Sequence, residues 1–186
     1  MSSVTKQKET LTSPTFSLQN KLIRVIWRFV YIVFFRFSPV PLFKYRNFIL
    51  KLFGANLQTT SRIYPSVSIW LPANLSIGSQ STLGPFVDVY NQGKITIGDK
   101  VIVSQGAHLC ASTHDYNDPL HPLLLAPINV SNDVWICAEA FIGPNVAIDL
   151  GCVVGARAVL TKSTEEWTVY GGNPAKALKK RTKFNE

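Results

Sequence analysis

The sequence predicts an all-β chain wound as a parallel β-helix behind a helical lead segment. Three observations carry that fold class: an aliphatic repeat every six residues, glycines placed just after repeat positions, and one long interruption out of step with the repeat. Val130, Ile136, Ile142, Ile148, Val154 and Leu160 stand six residues apart, and Ile128, Val134, Ala140, Val146, Cys152 and Ala158 precede each of them by two. A period of six fits neither a helix at 3.6 nor a long strand alternating at 2. It is what a chain produces when it turns a corner every six residues and points one branched aliphatic side chain inward on each flat face. Three faces close a triangular turn of eighteen residues, and successive turns stack at roughly the 4.8 Å strand spacing. Gly143 and Gly155 directly follow repeat positions, where tight corners favour a residue without a Cβ. A β-sandwich would require two-residue alternation and denser turn signals than this chain carries.

The elements follow in order. Residues 1–20 are rich in Ser, Thr, Gln and Lys and read as a flexible polar lead. Residues 21–60 form an aromatic and basic helical segment. Its first helix, over 21–38, combines Leu22, Ile23, Ile26, Trp27, Val30, Val33 and Phe34 with Arg24, Arg28 and Arg36. Pro39 and Pro41 stop it, and a second short helix runs from Phe43 to Phe53, closed by Gly54. Seven of the eleven Phe lie between Phe29 and Phe53, so this segment must bury itself, either against the main domain or a neighbouring subunit, or in a membrane interface with arginines at the headgroups. Trp27 and Trp70 are expected to pack it against the first turns.

The β-helix domain is expected over 61–175. In its upstream half Ile77, Leu83 and Val89 form one run and Ile97, Val103 and Leu109 another, with an eight-residue step that bulges around Asn91-Gln92-Gly93. From Leu109 to Val130 the step is twenty-one, which marks a loop excursion over 110–127. Residues 176–186 form a basic tail, with a short basic helix over Lys176–Lys183.

Charge and cysteine usage narrow the function. Residues 1–60 hold nine Lys/Arg against one acid, 176–186 hold five against one, and 61–175 hold five against nine. The body is therefore acidic and the net charge of +8 belongs to the two ends, which argues against a nucleic-acid groove and for a local contact with anionic lipid or a phosphate-bearing ligand. The longest apolar run in the lead segment, Phe29 to Phe35, lies between Arg28 and Arg36 and is too short to span a bilayer. No secretory signal pattern is legible, and Cys110, Cys137 and Cys152 supply neither a disulfide framework nor a CxxC pair, so a cytoplasmic chain is expected.

The excursion contains Cys110-Ala111-Ser112-Thr113-His114-Asp115-Tyr116-Asn117-Asp118-Pro119 and then His121-Pro122. A histidine that leaves a regular scaffold beside carboxylates and hydroxyls is a candidate general base, against the alternative of a structural histidine in a polar loop. His108, His114 and His121 together raise a zinc site shared across subunits, but nothing in the spacing fixes three nitrogens around one ion, and no metal is expected. Asn91, at the bulge, and Asp118 are candidate substrate-binding residues.

These motifs resemble the left-handed β-helix hexapeptide-repeat acyltransferases, and most narrowly the colanic acid biosynthesis acetyltransferases with the maltose, galactoside and nodulation-factor O-acetyltransferases. The resemblance runs from about Leu22 and rests on Ser112-Thr113-His114-Asp115, Val134-Trp135-Ile136, Gly155 to Lys162, and Val169 to Lys176. It implies a left-handed coil, a homotrimer with a site in each cleft between neighbours, and acetyl transfer from acetyl-CoA to a hydroxyl of a sugar, nucleotide-sugar or lipid-linked glycan acceptor. His114 matches the family's catalytic loop histidine, with Asp115 either orienting it or binding acceptor hydroxyls. Trp135 matches the tryptophan beside the cleft, Ala138 and Ala156 the small residues along the pantetheine arm, Thr161 and Lys162 the Thr-Lys pair near the cofactor, and Lys176 and Lys179 basic residues near the CoA phosphates. Cys137-Ala138 stands where many relatives carry Gly-Ser or Gly-Ala. The resemblance also implies the cytosolic side, where acetyl-CoA is found, with residues 21–53 a candidate peripheral contact with the membrane. The oxyanion donor is expected to be a backbone N–H near residues 137–138. An N-acetyltransferase acting on an amine, in which Asp118 recognises the ammonium, a ping-pong route through Cys110 or Cys137, and a non-catalytic trimeric scaffold remain the alternatives.

Overall fold

The computed structural model describes residues 5–6 and 16–184. The expected polar lead over 1–20 therefore lies largely outside the described residues, and helix α1 already begins at Leu18. From Asn56 onward the chain winds into a triangular β-solenoid of the left-handed-β-helix type. Its first face stacks Asn56–Leu57, Leu75–Ile77, Ile95–Ile97, Ile128–Val130 and Ala147–Ile148, all parallel. The second face runs from Arg62–Ile63 up to Thr168–Gly171, and the third from Ser68–Ile69 up to Val159–Leu160. Each strand is two to four residues long in the parallel stack, because each face ends at a corner before a longer strand can form.

The six-residue columns are the core. Ile63, Leu83, Val103, Ile136 and Val154 are each no more than 1% exposed, as are the intervening Val101, Ala107, Val134, Ala140 and Cys152. Burying each larger aliphatic chain contributes roughly 1.5–3 kcal/mol. In the upstream turns Leu57, Ile77 and Ile97 stack at twenty-residue intervals, since the corner between the third and first faces is lengthened. At one such corner Pro72–Asn74 forms a single 3-10 turn.

Gly143 and Gly155 are small for a reason other than the one expected. Neither has a positive φ; the left-handed corner residues are Asn145 and Arg157. A Cβ at Gly143 would meet the Leu160 carbonyl oxygen at 3.3 Å, and one at Gly155 the Tyr170 carbonyl oxygen at 3.1 Å. Close stacking of the next rung, not backbone conformation, selects glycine there.

Helix α1 (Leu18–Val30) continues through a π-helical turn over Tyr31–Phe35. Trp27, Tyr31 and Phe35 are its buried residues, spaced by four. An α-helix would rotate Phe35 well away from Trp27, and the wider π turn brings it back onto the same line, where ring centroids lie 5.6–5.9 Å apart. Trp27 also donates from Nε1 to the Ile69 carbonyl (2.8 Å), and Trp70 packs on Phe16, as expected of both tryptophans. The coil takes only part of the apolar segment: Leu22, Ile26, Phe29, Val33 and Phe37 stay exposed on the single chain.

Helix α2 (Phe43–Leu52) closes the base of the solenoid. Its Arg46 is fully buried and donates to the carbonyls of Ile63 (2.6 Å), Pro39 (2.8 Å) and Val40 (2.5 Å) and to Ser38 Oγ (2.9 Å). Burial lowers its pKa below the ordinary arginine value, and the four acceptors hold the charge in place of a carboxylate.

The predicted C-terminal helix is absent. Lys176–Lys180 is instead a strand antiparallel to Thr168–Gly171. The solenoid would otherwise end on an open edge of unpaired backbone groups, and a five-residue segment is too short to nucleate a helix; hairpin return satisfies that edge. Lys180 Nζ then reaches Glu165 Oε2 at 3.0 Å. Among the described residues no helix is long and apolar enough to cross a membrane.

Arg46→Met should lower stability by about 2–4 kcal/mol, since it leaves carbonyls without donors at a buried junction. Urea unfolding should show a reduced midpoint with an unchanged slope.

Candidate active site

The twenty-one-residue step is a hairpin thrown out between the third and first faces. Ser112–His114 pairs antiparallel with Leu123–Leu125, and Thr5–Lys6 adds a third strand beside Leu124 and Leu125. The hairpin tip is fixed by its own side chains. Asp115 Oδ1 accepts from the Asn117 N–H (3.1 Å), Asp118 Oδ1 from the Leu120 N–H (3.0 Å), and the His121 N–H donates to the Asp118 carbonyl (2.8 Å). His121 is held at a φ of +43°, in the left-handed region that turns its carbonyl back across the hairpin.

That carbonyl meets His114. The His114 Nδ1 lies 2.6 Å from His121 O, and a carbonyl can only accept, so Nδ1 carries the proton. The neutral ring then keeps its lone pair on Nε2. His114 is exposed, so this nitrogen is open to an acceptor. Sequence reasoning placed the histidine and missed its partner, because a backbone carbonyl has no signature in the residue types; the nearest hint was the second histidine seven residues on.

Trp135 lies on the second face between Ile102 and Val153, 45% exposed, and donates from Nε1 to Ser104 Oγ (3.0 Å). Ala138 and Ala156 occupy successive rungs of the corner between the second and third faces, where the Arg157 N–H donates to the Ala138 carbonyl (2.9 Å). Ala156 is exposed and Ala138 half-buried. Arg157 flanks that corner with Nε 2.6 Å from Glu139 Oε2. Thr161 and Lys162 are exposed one corner further along, and Lys176 and Lys179 project from the closing strand.

One expectation fails at the site. Asn91 is fully buried; its Oδ1 accepts from the Trp70 and Leu71 N–H groups and its Nδ2 donates to the Leu71 carbonyl (2.6 Å). It pins the bulged corner and has nothing left for a substrate. The Cys137 N–H donates to Val154 O (2.8 Å), which narrows the expected backbone donor near residues 137–138 to Ala138.

No family model matches the chain. WcaF of Escherichia coli (strain K12), whose name assigns it to colanic acid biosynthesis as an acetyltransferase, is 36% identical over 156 residues, covering 84% of this chain and 86% of its own. The chain belongs to the hexapeptide-repeat acetyltransferases. The fold agrees with solved members: a Vibrio cholerae hexapeptide-repeat acetyltransferase in complex with acetyl-CoA superposes with a TM-score of 0.80 at 22% identity over 90% of this chain and 91% of that one. A galactoside acetyltransferase in complex with coenzyme A gives 0.81 at 21% identity over 91% and 86%.

In this hexapeptide-repeat acetyltransferase the cysteines are ill suited to carry acetyl. Burial raises the Cys137 pKa above its ordinary value, which keeps the thiol protonated near neutrality. Cys152 is buried with its sulfur 2.7 Å from the Glu165 carbonyl, and the Cys110 thiol lies 3.3 Å from the Ser112 carbonyl. His108 sits on the third face, with Nε2 3.9 Å from Asp88 Oδ2. Among the described residues no three His, Cys, Asp or Glu side chains are grouped to hold a metal ion.

Cys137 should alkylate with iodoacetamide more slowly than a free thiol at neutral pH, with the rate rising only above the ordinary thiol range, as mass spectrometry of the labelled peptide will show. Cys137→Ser should keep kcat within a few-fold.

Proposed function

We propose that the protein transfers acetyl from acetyl-CoA to a hydroxyl of a sugar or glycan intermediate, with His114 as general base. The observation that carries this reading is the His114 Nδ1 to His121 O hydrogen bond, which leaves Nε2 as an accessible base at the point where the coil is interrupted. Nε2 takes the acceptor proton as the hydroxyl oxygen attacks the thioester carbonyl. The tetrahedral adduct then collapses, the C–S bond breaks, and the imidazolium returns the proton to the CoA sulfur. The His121 carbonyl stabilises the transient positive ring, and the Ala138 N–H serves the oxyanion. Trp135, Ala138 and Ala156 line the pantetheine path, with Thr161, Lys162, Lys176 and Lys179 toward the CoA phosphates. Asp115 and Asp118 shape the hairpin tip on which the acceptor rests.

The reading includes a homotrimer. His114 leaves the coil at the corner between the third and first faces, while Ala138 and Ala156 follow the corner between the second and third. Base and thioester path therefore stand on different corners, and a neighbour's corner completes the cleft. His114→Ala should lower kcat by roughly 10²- to 10⁴-fold while CoA binding, measured by calorimetry, stays unchanged; equal activity would remove His114 as the base. Co-expressing His114→Ala with Ala138→Trp should restore part of the activity each lacks alone, and no restoration would mean that one chain holds a whole site.

A peripheral contact at the cytoplasmic membrane surface is part of the same reading. Leu18, Leu22, Val25, Phe29 and Phe37 are each more than half exposed on the α1 segment, beside Lys21, Arg24, Arg28 and Arg36, and no Asp or Glu occurs between residues 10 and 87. Apolar rings with a ring of cations suit an anionic bilayer. Sedimentation with phosphatidylglycerol vesicles should exceed that with phosphatidylcholine at least tenfold and fall in Phe29→Ser/Phe37→Ser; equal partitioning would oppose the contact.

A further inference from the structure

A cavity of about 610 Å3 lies between α1 and the third face of the coil, and neither the helix packing nor the transfer chemistry accounts for the charged part of its lining. One wall carries Lys21, Arg24 and Arg28 and the other carries Trp70, Asp88 and Tyr90. Spacings of three and four put the three cations on one stripe of the helix. Arg24 is fixed with its guanidinium carbon 3.9 Å from the centroid of the Trp70 ring, and Arg28 lies over Tyr31 at 5.6 Å. Among the described residues none of the three cations forms an ion pair. Asp88, the carboxylate in the lining, has Oδ2 3.9 Å from His108 Nε2, so the cavity holds three cations against one acid that faces a histidine.

The position of the cavity relates it to His114. Tyr90 is the register partner of Cys110, and Cys110 precedes His114 by four residues, at most about 13 Å of extended chain. A group held by Arg24 and Arg28 can thus keep an attached sugar within reach of Nε2, with Trp70 and Tyr90 as apolar faces for a sugar ring. Arginine forks recognise phosphate oxygens in pairs, and three cations spread over two helical turns suit two linked phosphates better than one. A free hexose would leave the cations unmatched.

We propose that this cavity takes the diphosphate of a diphosphate-linked sugar, so that the acceptor is an activated sugar and not a free one. The inference rests on the acetyl-transfer reading for its purpose, but its test does not depend on turnover. Full-length protein, saturated with CoA so that the CoA phosphate site is filled, is titrated calorimetrically with inorganic pyrophosphate, uridine diphosphate and geranyl diphosphate. At least one probe should bind, and its affinity should fall tenfold or more in Arg24→Gln/Arg28→Gln and measurably in Arg28→Gln alone, an exposed position whose change leaves the core intact. His114→Ala and Lys176→Gln/Lys179→Gln should bind as the unaltered protein does. Tightest binding of uridine diphosphate assigns a nucleotide-linked sugar, tightest binding of geranyl diphosphate a polyprenyl-linked one, and equal binding of all three a site that reads the diphosphate alone. No binding of any probe, or binding that the arginine variants leave unchanged, overturns the proposal. If the probes bind through the arginines and no acetyl transfer is found, the diphosphate site stands and the acetyl-transfer reading falls.

Discussion

Everything in this molecule depends on rungs stacking in register. A parallel pair two or three residues long contributes little alone, and the solenoid holds because each inward aliphatic chain lies above another in three continuous columns. The constraint is strict on the inside and permissive at the corners. Turns of twenty residues in the lower half and eighteen in the upper half keep the same columns, because the added residues are absorbed between the third and first faces. The site hairpin is the extreme use of that freedom: thirty-three residues separate Ile97 from its partner Val130, yet the register of Ile95–Ile97 on Ile128–Val130 is intact.

The same permissiveness explains the geometry around His114. The hairpin lies outside the stacked columns, so its conformation is set by its own polar groups. Asp115 and Asp118 tie down the tip, His121 adopts a left-handed backbone, and the carbonyl so directed fixes the proton on His114 Nδ1. A rigid scaffold thus carries the proposed base on an irregular segment, the usual division between framework and functional loop. Buried Arg46 performs a comparable task at the base of the coil, where it joins α2 and the Ser38–Val40 turn to the first rung.

The columns were legible because a six-residue period has no competing interpretation, and the excursion because it broke that period. His114, Trp135 and the family resemblance followed from short motifs. What the sequence left obscure were features decided by neighbours in space. Asn91 reads as a polar loop residue, but its amide satisfies a bulged corner. Lys176–Lys183 reads as a basic helix, but an open sheet edge recruits Lys176–Lys180 as a strand. Gly143 and Gly155 read as turn residues, yet the carbonyls of the next rung select them. The Phe-rich lead reads as a segment that must bury itself, and the coil takes only part of it, through Trp27, Tyr31 and Phe35 on α1 and its π turn and through Ile49 and Leu50 on α2; the cavity beside α1 depends on how that helix crosses the third face.

The claim on which the chemistry turns is that His114 presents Nε2 as a base because Nδ1–H is held by the His121 carbonyl. Nitrogen-15 NMR of the three histidine rings, assigned with His114→Ala, measures it directly at a pH where the ring is neutral. The account predicts a protonated Nδ1 and an unprotonated Nε2 for His114. A proton on Nε2 would contradict it, since that tautomer can neither donate to the carbonyl nor accept a proton from a hydroxyl at the open side of the ring.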